Sequence, residues 1–380
     1  MNSTILRPML ILIASVVIFS FNSVNAKTYS AAEIEAESKK VNDFFQKSFD
    51  DQVDLYPQYQ THLGIKKDYD KLNDISPAAE ERDLKIRRAE LIWLTDSVNV
   101  NALSKDALLS YKLFKQGVEN EIEDYKFRLY NYPVNQMHGA QSGIPAMLIN
   151  MHRIDDISDA EAYISRLNAF NTYFTQLVQN LIEREGKGII PPIFVYDKVI
   201  QDSENILTGQ PFDDSDKLST LLEDFMKKVN KLEIDEELKT TLENNAKVAL
   251  LTSVKPAYNN LIEFLKGQKV RSNTDAGVWK FPEGEAFYNN ALKRTTTTGL
   301  TAEEIHNIGL LEVKRIHAEM EVIKEKVGFK GDLQAFFEFM RTDPQFYYSS
   351  DQEGKDEYLA KAVQLIDTMK RIRCDRTAAW

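Results

Sequence analysis

The 380-residue chain contains a single cysteine, Cys374, which excludes an intrachain disulfide framework and any Cys-rich zinc site. Breakers are scarce too: 15 glycines and 11 prolines are little more than half the usual share of about 12%. So few turn formers argue against a many-turned β fold and leave long helices as the expected architecture. Positive charge is in deficit, with 47 Lys and Arg against 58 Asp and Glu and a formal net charge of -11, so nucleic acid is not an expected partner. Apolar runs of membrane length are missing as well. The most prominent, Met9 to Phe21, falls short of the ~20 residues that a spanning helix needs. What the chain does have is apolar and aromatic side chain, 43% and 10% of its residues, enough for a packed core.

The short apolar run follows Arg7 and precedes Val24-Asn25-Ala26, with small residues where a signal peptidase reads. The pattern predicts a signal peptide over residues 1–26 and a mature protein beginning at Lys27. No cysteine follows the run, which excludes lipid attachment at that site. The expected location is the periplasm or the medium, with no stable membrane insertion after cleavage.

Helix starts are written into the chain. Ser30 with Glu33, Ser158 with Glu161 and Thr301 with Glu304 have capping-box spacing, in which the hydroxyl takes an orphan amide and the carboxylate reaches back. Ser76-Pro77 and Ser104 are further starts. Leu218, Leu221, Leu222, Phe225, Met226, Val229 and Leu232 fall at helical spacing, as do Ile305, Ile308, Val313, Ile316, Met320, Ile323 and Val327. Both stripes read as core-facing. The predicted fold is all-α, an elongated multi-helix array with few or no short strands. Its expected units are an N-terminal helical unit over 27–266, a linker over 267–282 with a short extended segment, a second helical unit over 283–369 and an atypical tail over 370–380. The tail is basic and holds the only cysteine. It reads as the product of a frameshift or early stop, with a basic helix end suited to the helix dipole as the alternative.

The search for chemistry is mostly negative. None of the five histidines is followed by glutamate, so the zincin start is absent. His306 and His317 share a helix face, but eleven residues put them about 16 Å apart along the axis, too far for one metal. All five read as flank or surface residues. Gly139 to Gly143 superficially resembles a nucleophile elbow, yet two residues rather than one separate glycine from serine; the segment reads as a turn. Gly277 to Tyr288 is more informative. It packs Trp279, Phe281, Phe287 and Tyr288 among two glycines and a proline. Such a loop can line a groove, which makes Trp279 and Tyr288 candidate substrate-binding residues. A loop pinned by buried aromatics is the alternative.

That segment, with Thr296-Thr297 and Thr301 to Gly309, with Arg166-Leu167 and with Gly188 and Pro191-Pro192, resembles the bacterial exported family called domain of unknown function 885. The resemblance runs from about Tyr29 to about Met369. It implies a helical zinc metallopeptidase whose catalytic part carries a His-Glu-x-x-Pro-Gly-His stretch and a Glu-Gly-Trp-Ala-Leu-Tyr stretch. Neither stretch is in this sequence, so the resemblance transfers no catalytic residue and no metal ligand. It implies the N-terminal, non-catalytic part of such a protein, inactive as a peptidase on its own, with peptides as partners. No cofactor is expected in this chain, and zinc is expected in full-length relatives. A complete helical periplasmic binding or interaction protein is the alternative, and a hydrolase with an unrecognised site is a third.

Overall fold

The computed structural model describes residues 28–377, with side chains as far as residue 372. The signal-peptide expectation lies outside the described residues. Within them the chain is all-α: no β-strand forms, and one isolated bridge joins Gln210 to Leu218. Contacts divide it into two compact units, Met1–Phe287 and Tyr288–Trp380. Residues 267–282 belong to the first unit.

The first unit opens with α1 (Ala31–Leu55), α2 (Pro57–His62), α3 (Pro77–Ser97) and α4 (Lys105–Asp124). Each long start has the expected chemistry. Ser30 and Glu33 complete the capping box of α1, Ser76 caps α3 ahead of Pro77, and Ser104 caps α4. Helices α1 and α3 both pack on α4, around Val41, Leu94, Leu103, Ala107 and Tyr111.

Helices α5 (Ala140–Met151), α6 (Ile157–Gly186), α7 (Phe194–Ile206), α8 (Thr220–Val229), α9 (Glu236–Ala249) and α10 (Lys255–Arg271) build the larger core. Helix α6 is its axis, touching α8, α9 and α10. Tyr163, Leu167, Phe170, Phe174, Leu177 and Leu181 recur at steps of three and four and are all buried, each contributing about 1.5–3 kcal/mol. The stripe on α8 is core as expected: Leu221, Leu222, Phe225 and Val229 are buried. A wider π-helical turn, Leu250–Val254, joins α9 to α10. It precedes Pro256, which has no N–H to continue the ladder, and a local widening accommodates that loss.

Two local expectations change. Helix α6 is capped by Asp156, whose side chain accepts from the Asp159 amide, and Ser158 lies inside the helix. The aspartate sits two residues earlier and starts the helix there, taking the orphan Asp159 amide before the serine can act as the cap. Gly139 to Gly143 is not a turn, because Gly139 caps α5 and the helix runs through the segment.

The second unit holds most of α11 (Gly284–Thr296), then α12 (Ala302–Lys326), α13 (Leu333–Thr342) and α14 (Gln352–Thr377). Thr301 and Glu304 form the capping box of α12. Its apolar stripe is not buried core, however: Ile308, Val313, Ile316, Ile323 and Val327 are exposed, and Ile305 and Met320 are only half-buried. Periodicity places side chains on one face of a helix, but only a neighbouring element can bury that face. Phe336 is buried against Phe329, whereas Leu359, Val363 and Ile366 on α14 are exposed. The backbone of the basic tail continues α14 as far as Thr377.

Candidate functional site

The aromatic loop is tightly held. Phe281 is buried and meets Tyr130 and Tyr132 edge-on at 5.5 and 5.8 Å. Phe287 lies 5.2 Å from Tyr130 and 5.5 Å from Phe127. Tyr130 donates its hydroxyl to the Pro282 carbonyl at 2.6 Å, and burial pushes the Tyr132 hydroxyl up to about 12. Lys280 ties the loop down further by donating to the carbonyls of Ile190 and Asp275 at 2.8 and 2.9 Å.

The expected extended segment is instead a single 3-10 turn, Val278–Lys280, flanked by extended Gly277 and Phe281. Glycine is required after it, at Gly284, where the close contact is with backbone. A Cβ on Gly284 would stand 2.2 Å from the Val278 carbonyl oxygen, and one on Gly277 would stand 2.0 Å from the Trp279 ring. Between them Glu283 takes a positive φ of 53°. The pinned loop therefore presents Trp279 folded over Gly277 and 69% exposed. Tyr288, the first residue of the second unit, is 46% exposed. The aromatics thus divide by role: Phe281 and Phe287 anchor, and Trp279 and Tyr288 face outward.

The histidines do not form a centre. His62, His138, His306 and His317 are exposed, but His152 is buried, contrary to the surface reading. It lies at the end of α5, where Nδ1 accepts from Arg166 at 2.9 Å, so Nε2 carries the proton and donates to the Asp159 carbonyl at 3.0 Å. Tyr69 stacks on its ring at 4.1 Å. Burial pulls its pKa down to about 3, and the nearby Arg166, Lys228 and Lys66 charges act in the same direction. Arg166 is itself fully buried and also donates to the Lys71 carbonyl and to Thr61 Oγ1. This cluster ties α2 and the loop after it to α5 and α6. Among the described residues no group of three or more His, Cys, Asp or Glu is gathered to hold a metal, so the side chains present do not fit a zinc site.

Sequence reasoning missed a groove of about 350 Å³ between α1 and α3. Its apolar wall includes Phe44 and Trp93, stacked at 3.8 Å and 5°. At its base the Ser48 hydroxyl donates to Glu90, and Arg87 bridges Glu90 at 2.7 Å and Glu121 of α4 at 2.6 Å. At one end the Tyr56 hydroxyl donates to Asp83, and burial first, then that carboxylate, pushes Tyr56 up to about 12. The sequence signal was a carboxylate inside an apolar stripe: Ile86, Glu90 and Trp93 share one face of α3 at steps of four and three.

Among the described residues no helix is long and apolar enough to cross a membrane. A family model described as bacterial protein of unknown function (DUF885) matches residues 57–376. No curated protein matches the sequence. A solved structure of a provisionally assigned lipoprotein from Colwellia psychrerythraea is similar in fold, with a TM-score of 0.70 and 20% identity over 88% of this chain and 59% of that one. Another, a provisionally assigned lipoprotein of unknown function from Shewanella oneidensis, has a TM-score of 0.59 and 15% identity over 90% and 58%. This chain therefore spans less than two thirds of the length of either.

Proposed function

Because the chain belongs to the DUF885 family of bacterial proteins, we propose that it is an exported, helical, non-catalytic scaffold of a metallopeptidase-like protein and that it binds peptides. The observation that carries this reading is Trp279, an exposed indole on a loop fixed by buried Phe281 and by the close backbone approach at Gly284. A large apolar surface held in one conformation binds with little ordering cost. Tyr288, also exposed, is the proposed peptide contact of the second unit. Hydrolysis by metal-bound water needs about three protein ligands and an open position. The described side chains offer no such group, so any zinc chemistry is proposed for longer relatives.

The test is peptide binding by the purified protein, followed by calorimetry, together with cleavage of a peptide pool with and without chelator. The expected result is binding that Trp279→Ala weakens severalfold, with no chelator-sensitive cleavage. Peptide hydrolysis that chelator abolishes and zinc restores would overturn the scaffold reading. The α1–α3 groove favours a second reading, a helical binding protein in its own right, because a concave, largely apolar pocket with a few polar groups suits a ligand.

A further inference from the structure

The groove between α1 and α3 has a chemistry of its own. Its apolar part holds the Phe44–Trp93 pair, stacked face to face, together with Leu55, Ile86 and Ala89. Its polar part carries an excess of negative charge. Asp51, Asp83 and Glu90 outnumber Lys47 and Arg87 in its lining, Lys47 pairing with Asp51 along α1 and Arg87 with Glu90 along α3. Counting the outer partners as well, Glu121 on Arg87 and Arg82 on Asp83, leaves that excess unchanged.

Glu90 is the focus. It is 8% exposed and receives one hydrogen bond from Ser48 and one from Arg87. An ionised carboxylate has about four acceptor positions, so capacity for further donors remains at the base of an apolar slot. Buried in this way, a carboxylate attracts a cation more strongly than it would in water.

We propose that this groove binds a peptide segment in which an aromatic side chain neighbours a lysine or arginine. The aromatic ring lies against Phe44 and Trp93, and the cationic group donates to Glu90. The proposal extends the peptide-binding reading to a surface separate from the Trp279 loop, and the two fail independently.

The experiment uses the full chain with Trp279→Phe and Trp380→Phe, which leaves Trp93 as the sole tryptophan of the original three. Its emission is followed during titration with acetyl-phenylalanyl-lysine amide, acetyl-phenylalanyl-glutamate amide and butylamine, a cation without a ring. The lysine peptide is expected to give a saturable change, the glutamate peptide at least tenfold weaker binding, and the small amine no saturation over the same range. Rising salt should weaken the lysine peptide. Ala89→Phe, at an exposed helix position on the groove wall, should fill the slot and weaken binding at least tenfold. Glu90→Gln should weaken it at least fivefold, and if that variant does not fold, Ala89→Phe carries the test. Absence of a saturable Trp93 response overturns the proposal. So do equal affinities for the two peptides, saturation by butylamine alone, or indifference to Ala89→Phe. Loss of the Trp93 response with Trp279-dependent binding intact removes the groove alone, and the reverse outcome removes the loop alone.

Discussion

The Tyr258 hydroxyl donates to the Gln141 carbonyl at 2.5 Å, and the reason lies four residues further along α5. Pro145 is inside that helix and has no N–H to offer Gln141, so the orphaned carbonyl is satisfied from α10 instead. The bond is fully buried, and burial holds the Tyr258 hydroxyl well above its ordinary pKa. Tyr258→Phe should cost about 1–3 kcal/mol by leaving a buried acceptor unpaired. In a Pro145→Ala background the new backbone N–H can take that acceptor, so the same substitution should cost less. Urea unfolding of the four proteins measures the coupling, and strictly additive costs would refute the compensation.

His152 predicts acid sensitivity. Its pKa is about 3 in the folded protein against roughly 6.5 in an unfolded chain. The unfolded state therefore binds the proton first. The stability contributed by neutral His152 is complete above roughly pH 6.5 and falls by about 1.4 kcal/mol per pH unit as the pH drops toward 3. Between pH 7 and pH 5 the loss should be on the order of 2 kcal/mol. His152→Gln removes the titrating group, so it should flatten the pH dependence even while lowering stability at pH 7. Denaturant midpoints at several pH values test this, and an unchanged slope in the variant would count against it.

The Trp279 loop makes a paired prediction. Gly284→Ala places a Cβ 2.2 Å from the Val278 carbonyl oxygen, a backbone clash that no rotamer relieves. It should destabilise the protein by about 1–3 kcal/mol, in the range of overpacking. Glu283→Gly acts oppositely: φ is 53° there, and a left-handed non-glycine residue costs about 1–2 kcal/mol. Thermal unfolding of both variants should shift in opposite directions.

On α14, Leu359, Val363 and Ile366 follow one another at steps of four and three, and all three are exposed. A contiguous apolar face of this kind promotes association. Changing the three to glutamate should reduce concentration-dependent light scattering without loss of helical circular dichroism. Unchanged scattering would show that this face takes no part in association.

Much of the local architecture was legible. Ser30, Ser76, Ser104 and Thr301 cap their helices as read, because a cap is an interaction between residues three positions apart. The stripe on α8 was read correctly, and the stripe on α12 has the same kind of spacing but stays exposed. Periodicity is identical whether or not a second element arrives. The loop was legible as aromatic-rich, but which ring anchors and which faces out depended on Tyr130 and Tyr132, about 150 residues away in sequence. The α1–α3 groove was not legible, because Ser48 and Glu90 are 42 residues apart and meet only when two helices lie side by side.

The sequence by itself determined that the chain is helical and where α1, α3, α4 and α12 begin. Scarce breakers, hydroxyl caps and apolar spacing all act within a few residues of one another. Tertiary structure alone decided which apolar faces are buried, that His152 is an inner residue rather than a surface one, and that a carboxylate stands at the base of an aromatic slot. Burial and charge environment are properties of the neighbours that folding brings near, and those neighbours come from distant parts of the chain.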